Sequence, residues 1–152
     1  MATGQTGYQK LGSNAARYMY DHDPADSTVA TDVAWVDMRD YEHFLCMAFA
    51  SALTGAGVTA FSIVGNTSST GAGTDRVIVS HAVGSAPDAV GDFLHLECSA
   101  EQIASVGEAN SEDLRYVSAK LTCANAADEA VVYYERALPR FPKANLTADH
   151  VA

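Results

Sequence analysis

Five histidines, three cysteines and two carboxylate clusters are the residues in this 152-residue chain that could do chemistry. The histidines are His22, His43, His81, His95 and His150. No two stand at the His-x-His or His-x-x-x-His spacing of a compact metal site, and none adjoins a Cys-x-x-Cys pair. His43, His81 and His95 fall in apolar runs and read as strand residues rather than ligands. Cys46, Cys98 and Cys123 are odd in number and widely spaced, a poor disulfide framework. Each lies among Leu, Val or Phe, so the expectation is three buried free thiols and a reducing assembly compartment. Asp21, Asp23 and Asp26 have the Asp-x-Asp form of a calcium loop but lack its glycine and distal glutamate, so they read as a solvated acidic loop. Glu108, Glu112 and Asp113 surround an expected surface turn; glycoside cleavage would need two carboxylates opposed across a cleft. There is no Gly-x-Ser-x-Gly elbow, and the Gly71–Gly73 loop has no following lysine and precedes a strand. No enzyme, cofactor or metal is expected.

The elements that would position such residues read as strands. Short apolar runs at 31–38, 41–51, 58–65, 76–83, 93–98, 115–123 and 130–138 are separated by Gly-, Ser- and Asn-rich turns. Seven strands at this spacing predict an all-β, antiparallel β-sandwich, jelly-roll-like. In the second run Phe44, Cys46 and Ala48 alternate with Leu45, Met47 and Phe49; both faces are apolar, which predicts a central strand covered on both sides. In the sixth, Val117, Ala119, Leu121 and Cys123 are expected inward and Ser118, Lys120 and Thr122 outward. Trp35 and one of Tyr133 and Tyr134 are expected in the core, which sends the other tyrosine to the opposite face. Ser99 and Gln102 have capping-box spacing, so a brief helix is expected through Ile103 and Val106, ending at Gly107.

Three regions follow: an extended N-terminal arm (1–30) in which tyrosines punctuate Gly, Asn and Ser, a sandwich domain (31–138) and a C-terminal tail (139–152). Hydrophobic residues make up 48% of the chain, enough for a core without staples. The net charge of −10 would repel phosphate, so nucleic acid is not an expected partner. Arg136, Arg140 and Lys143 form a local basic group near the C-terminus. No apolar run approaches the ~18 residues of a membrane span, and the start lacks the basic and apolar parts of a secretory signal. The sequon matches at Asn66 and Asn145 are therefore expected to be accidental.

The order of motifs resembles a family. A polar arm leads to a strand ending at Asp37, then to Tyr41-Glu-His-Phe44 and a hydrophobic strand. A Thr-Gly-Ala-Gly-Val-Thr turn at 54–59 follows, then Phe61-Ser-Ile63, Leu114-Arg-Tyr-Val117 and a closing strand with Arg136-Ala-Leu-Pro-Arg140. Over about residues 31–140 this resembles the small virion structural proteins of tailed bacteriophages, of the capsid decoration or cement type. The C-terminal extension is longer than in that pattern. The resemblance implies a virion protein on the capsid exterior, assembled in the host cytoplasm. Its expected partner is the major capsid protein, which it would bind as a dimer or trimer at symmetry axes. Contacts are expected from the arm, through Tyr8, Leu11, Tyr18 and Tyr20, and from the tail, through Arg140 and Phe141. The alternatives are a tail or head–tail module and a lectin-like ligand-binding sandwich.

Overall fold

Apolar alternation at period two, broken by glycine turns, produces nine strands among the described residues of a computed structural model. It describes residues 16–21, 31–32, 35–52, 57–81, 89–125 and 128–140. The elements are β1 (Ala16–Asp21), β2 (Thr31–Asp32), β3 (Val36–Asp37), β4 (Tyr41–Ala52), β5 (Val58–Asn66), β6 (Arg76–Ser80), β7 (Phe93–Ser99), α1 (Ala100–Asn110), β8 (Tyr116–Cys123) and β9 (Glu129–Pro139).

All pairings are antiparallel. One sheet has the order β1-β9-β4-β7; the other runs β2-β8-β5-β6, with β3 also on β8. Because β2 and β3 both pair with β8, they act as one interrupted strand, which is the expected 31–38 run. Counted so, the chain pairs from its ends inward: β1 with β9, β2/β3 with β8, β4 with β7, β5 with β6. Eight strands wound in this way make a jelly roll. The expected sandwich is present, and its topology corrects the expected boundary. Ala16–Asp21 is the first strand of the four-stranded sheet, so the domain begins inside the supposed 1–30 arm. Pro139, assigned to the tail, closes β9.

The core lies between the sheets. Phe44, Cys46, Ala48, Val132 and Tyr134 face Phe61, Ile63, Val117, Ala119 and Leu121, all nearly without exposure. Phe44 and Tyr134 pack with ring centroids 6.0 Å apart. Arg136 crosses the layers: its Nη1 donates to the Asp37 carbonyl at 2.7 Å, and its guanidinium lies 4.5 Å from the Tyr41 ring centroid. Ser118 was expected outward and is fully buried. Trp35 is half-buried rather than in the core; its indole lies against the 66–75 loop at Gly71. A Cβ there would sit 2.4 Å from Trp35 Nε1, and φ is +68°, so glycine serves both the turn and the packing.

The helix α1 runs past its expected end. Ser99 Oγ accepts from Gln102 N at 3.2 Å, and Gln102 Oε1 accepts from Ser99 N at 2.9 Å, completing the capping box. Gly107 does not stop the helix. It lets the chain return across it, since a Cβ would meet the Glu112 carbonyl oxygen at 2.6 Å. The helix ends at Ser111, in the left-handed region at φ 57°, with Glu112 N donating to Gly107 O at 2.9 Å.

Candidate binding face

The outer face of the four-stranded sheet is built by residues that alternation turns away from the core. Directly opposed residues of antiparallel strands share a face, so register fixes its rows. Phe93 lies opposite Phe49, and Phe49 opposite Val131. The next row joins His95, Met47 and Tyr133, and the third joins Glu97, Leu45 and Glu135. The backbone of β1 pairs next, with Asp21, Met19 and Arg17 in register with Val131, Tyr133 and Glu135. Leu45, Met47, Phe49, Val131 and Tyr133 are half-buried, and Phe93 is 61% exposed. Phe49 and Phe93 rings stack at 6.0 Å between centroids. Val90, 65% exposed, stands in the turn leading to the same strand end.

This face corrects the reading of β4. The strand is central, between β9 and β7, but within the described residues no second layer covers its outer side. Among the described residues, two-sided apolarity therefore leaves the outer row of β4 only half-buried. The rim is acidic: Glu97 and Asp92 are exposed, and Tyr133 Oη donates to Glu135 Oε2 at 2.5 Å. Apolar area with a polar rim is the character shared by protein contact sites and ligand-binding surfaces.

The outer face of the five-stranded sheet is mainly polar, with Val77 on β6 exposed as its apolar exception. Lys120 Nζ bonds Asp75 Oδ2 at 2.7 Å, Asn66 Nδ2 donates to Asp75 Oδ1 at 2.9 Å, and Asn66 Oδ1 accepts from Ser68 N at 2.8 Å. Arg115 pairs with Asp37 through both carboxylate oxygens, and this holds the Asp37 carboxyl down at about 2. Arg76 grips Glu112 at 2.9 and 2.7 Å, which lowers the Glu112 carboxyl and occupies one carboxylate of the second cluster.

The thiols behave as the sequence suggests. Cys46, Cys98 and Cys123 are free and buried. Desolvation pushes Cys46 strongly up, Cys98 to about 12 and Cys123 to about 11, so none is a ready thiolate. His43 and His95 are exposed on β4 and β7, and His81 is half-buried after β6. Among the described residues, no three His, Cys, Asp or Glu side chains gather to hold a metal. Nor, among them, is any helix long and apolar enough to cross a membrane.

Of the expected contact residues, Tyr8, Leu11 and Phe141 lie outside the described residues. Tyr18 and Tyr20 stand on β1 opposite Tyr134 and Val132, both of them core residues. Arg140 is exposed, with Nε 2.7 Å from Glu42 Oε1 and its backbone N–H bonded to the Asp40 carbonyl at 2.7 Å. The apolar rows of β4, β7 and β9 are not among the expected contact residues. In the sequence their signal is the Leu45, Met47, Phe49 alternation, which by itself implies only coverage on both sides.

No protein-family model matches the chain, and no curated protein sequence matches it. Among solved structures it is similar to one described as Bacillus endospore appendages that form a novel family of disulfide-linked pili. The identity is 13% and the TM-score 0.42, over 91% of this chain and 95% of that one. A likeness of that size carries no argument about function.

Proposed function

We propose that the chain is a non-enzymatic virion structural protein that binds the outer surface of a phage capsid and stabilises contacts between major capsid protein subunits. The observation that carries this reading is the apolar outer face of β7, β4 and β9 with its acidic rim. A sheet face is already rigid, so docking it orders little new chain. Its complement is an apolar patch with basic residues around it on the assembled lattice. Binding the lattice in preference to loose subunits stabilises the shell by linkage, and many copies reinforce one another. Jelly rolls occur in viral capsid and lectin domains, a fold-level analogy in line with this reading.

Tyr8 and Leu11 supply a second contact ahead of β1 under this proposal. Because β1 is part of the sheet, the arm deletion that tests it stops at residue 15. The test of the function is cryo-electron microscopy of particles containing the protein, with copies counted and located. A copy number comparable to the major capsid protein, on the outer shell and with the β7-β4-β9 face inward, is expected. A few copies at one vertex or along a tail would make it a connector or tail part. Absence from particles would overturn the reading and turn attention to a saturable rise in Tm with sugars.

A further inference from the structure

Strand β7 ends the four-stranded sheet, and among the described residues no strand pairs with its second edge. It runs against β4 without a register shift and contains neither the proline nor the lysine that commonly blunts a sheet edge. Its backbone groups divide by register. Ala50 N donates to the Asp92 carbonyl at 3.0 Å. Ladder bonds of an antiparallel pair recur at every second residue, so Leu94, Leu96 and Cys98 bond to β4, while Phe93, His95 and Glu97 turn their N–H and C=O groups outward. Ser99 N agrees, since it donates to Gln102 Oε1 in the capping box and not to β4. The side chains of His95 and Glu97 are exposed. Each stands opposite an apolar residue on β4, Met47 and Leu45, so neither has an opposite charge on the neighbouring strand.

An edge with bare groups on alternate residues can pair with a second copy of itself, two-fold and antiparallel. Bare groups must oppose bare groups, so near the middle of the strand the axis sits at His95, Leu96 or Glu97. At His95 it opposes the two imidazoles and sets Glu97 against Phe93. At Glu97 it opposes two carboxylates, which is destabilising. At Leu96 it opposes His95 of each copy to Glu97 of the other, and each of these pairs exchanges two backbone bonds. An imidazole N–H then meets a carboxylate twice on the outer face. Ser99, whose N–H is already used by the cap, falls at the margin of this pairing. Asp92 and Glu101, both exposed, stand just past its ends and add like charge there, which ~0.15 M salt screens.

We infer that the chain forms a two-fold dimer by pairing β7 with β7 of a second copy, His95 opposite Glu97 on both sides of an axis at Leu96. The two four-stranded sheets then join as one, and the apolar rows of both copies lie on the same side of it. The dimer uses the edge of the sheet and the proposed capsid contact uses its face, so either can fail without the other.

Sedimentation of the full chain in ~0.15 M salt should give a particle of twice the 16.0 kDa chain mass at about 50 μM, where a micromolar dimer is mostly assembled. His95→Pro removes an outward N–H and no bond to β4, a position where an edge strand tolerates proline, so it should leave a folded monomer. The register is read by mixing a His95→Cys chain with a Glu97→Cys chain and oxidising mildly. The three native thiols are buried and weakly acidic, so they give little background. The mixed disulfide should form at least about fivefold faster than a bond between two His95→Cys chains or two Glu97→Cys chains, since pairing sets the local concentration. A monomeric full chain, or a larger open assembly, would overturn the proposal. So would equal rates for the three disulfides, or a dimer that survives His95→Pro.

Discussion

The two sheets of this jelly roll share one core and differ on their outer faces. The outer face of the five-stranded sheet carries Ser62, Lys120 and Thr122, and it closes over the bonds among Asn66, Asp75 and Lys120. The outer face of the four-stranded sheet carries Leu45, Met47, Phe49, Val131 and Tyr133. The first face bonds its polar groups to one another and exposes one large apolar side chain, Val77; the second presents a row of half-buried apolar side chains with Phe93 exposed at its edge. In a sheet with one wet side, outward positions are normally polar. Under the proposed function, this difference gives the side of the molecule on which the partner would dock.

The comparison breaks first if the sheets do not share the core equally. Phe44 and Phe61 are each at most 1% exposed, one on each sheet's inner face. Phe44→Ala and Phe61→Ala should each cost about 3–5 kcal/mol in urea unfolding, with similar values. A cost below about 1 kcal/mol for one of them would mean that its sheet is a loosely packed layer.

The polar face is sharpened next. Asn66 is buried and bridges Asp75 and the Ser68 amide. Asn66→Ala should cost about 1–3 kcal/mol, because it leaves the buried partners unsatisfied. On the same sheet, Asp37 sits at about 2 against an ordinary 3.8, chiefly through its bond to Arg115. The folded state thus binds that proton less tightly than the unfolded chain. Its stabilisation is complete above about pH 4 and is lost as pH falls through 2. Asp37→Asn should therefore remove about 1 kcal/mol at pH 7, after discount for solvent screening of a partly exposed pair. The loss should shrink toward zero near pH 2, as measured by denaturant midpoints across that range.

Much of this fold was legible because strand alternation is a local signal. The runs at 41–51, 58–65, 93–98 and 115–123 correspond to β4, β5, β7 and β8 within one or two residues. Burial of the three thiols followed from their apolar neighbours. Two things were not legible. Strand β1 carries Tyr18 and Tyr20 in a segment rich in turn residues, and only its partner β9, more than a hundred residues later, makes it a strand. Gly107 reads as a helix stop, yet the returning chain at Glu112 uses it as a close-packing point. The candidate face was hidden for a related reason. Apolar residues on both sides of β4 suggest that both sides are to be covered, and only the layer count tells that the described residues supply one cover.

The smallest stability effect carries the sharpest test of the comparison. Met47 and Tyr133 are opposed at the centre of the exposed rows and are only half-buried. Met47→Ser should change stability by about 0.5 kcal/mol or less, since little area returns to water on unfolding. If this face is where a partner sits, the same substitution should weaken lattice binding by about tenfold or more, because a buried apolar contact is lost at the centre of the interface. Sedimentation of the labelled chain with shells measures the binding, and urea unfolding measures the stability. A substitution on the polar face, Thr122→Ala, should leave binding unchanged. Equal losses of binding from the two substitutions would make the outer faces equivalent. A loss of stability in Met47→Ser as large as that of a core truncation would mean that the face is already covered by its own chain.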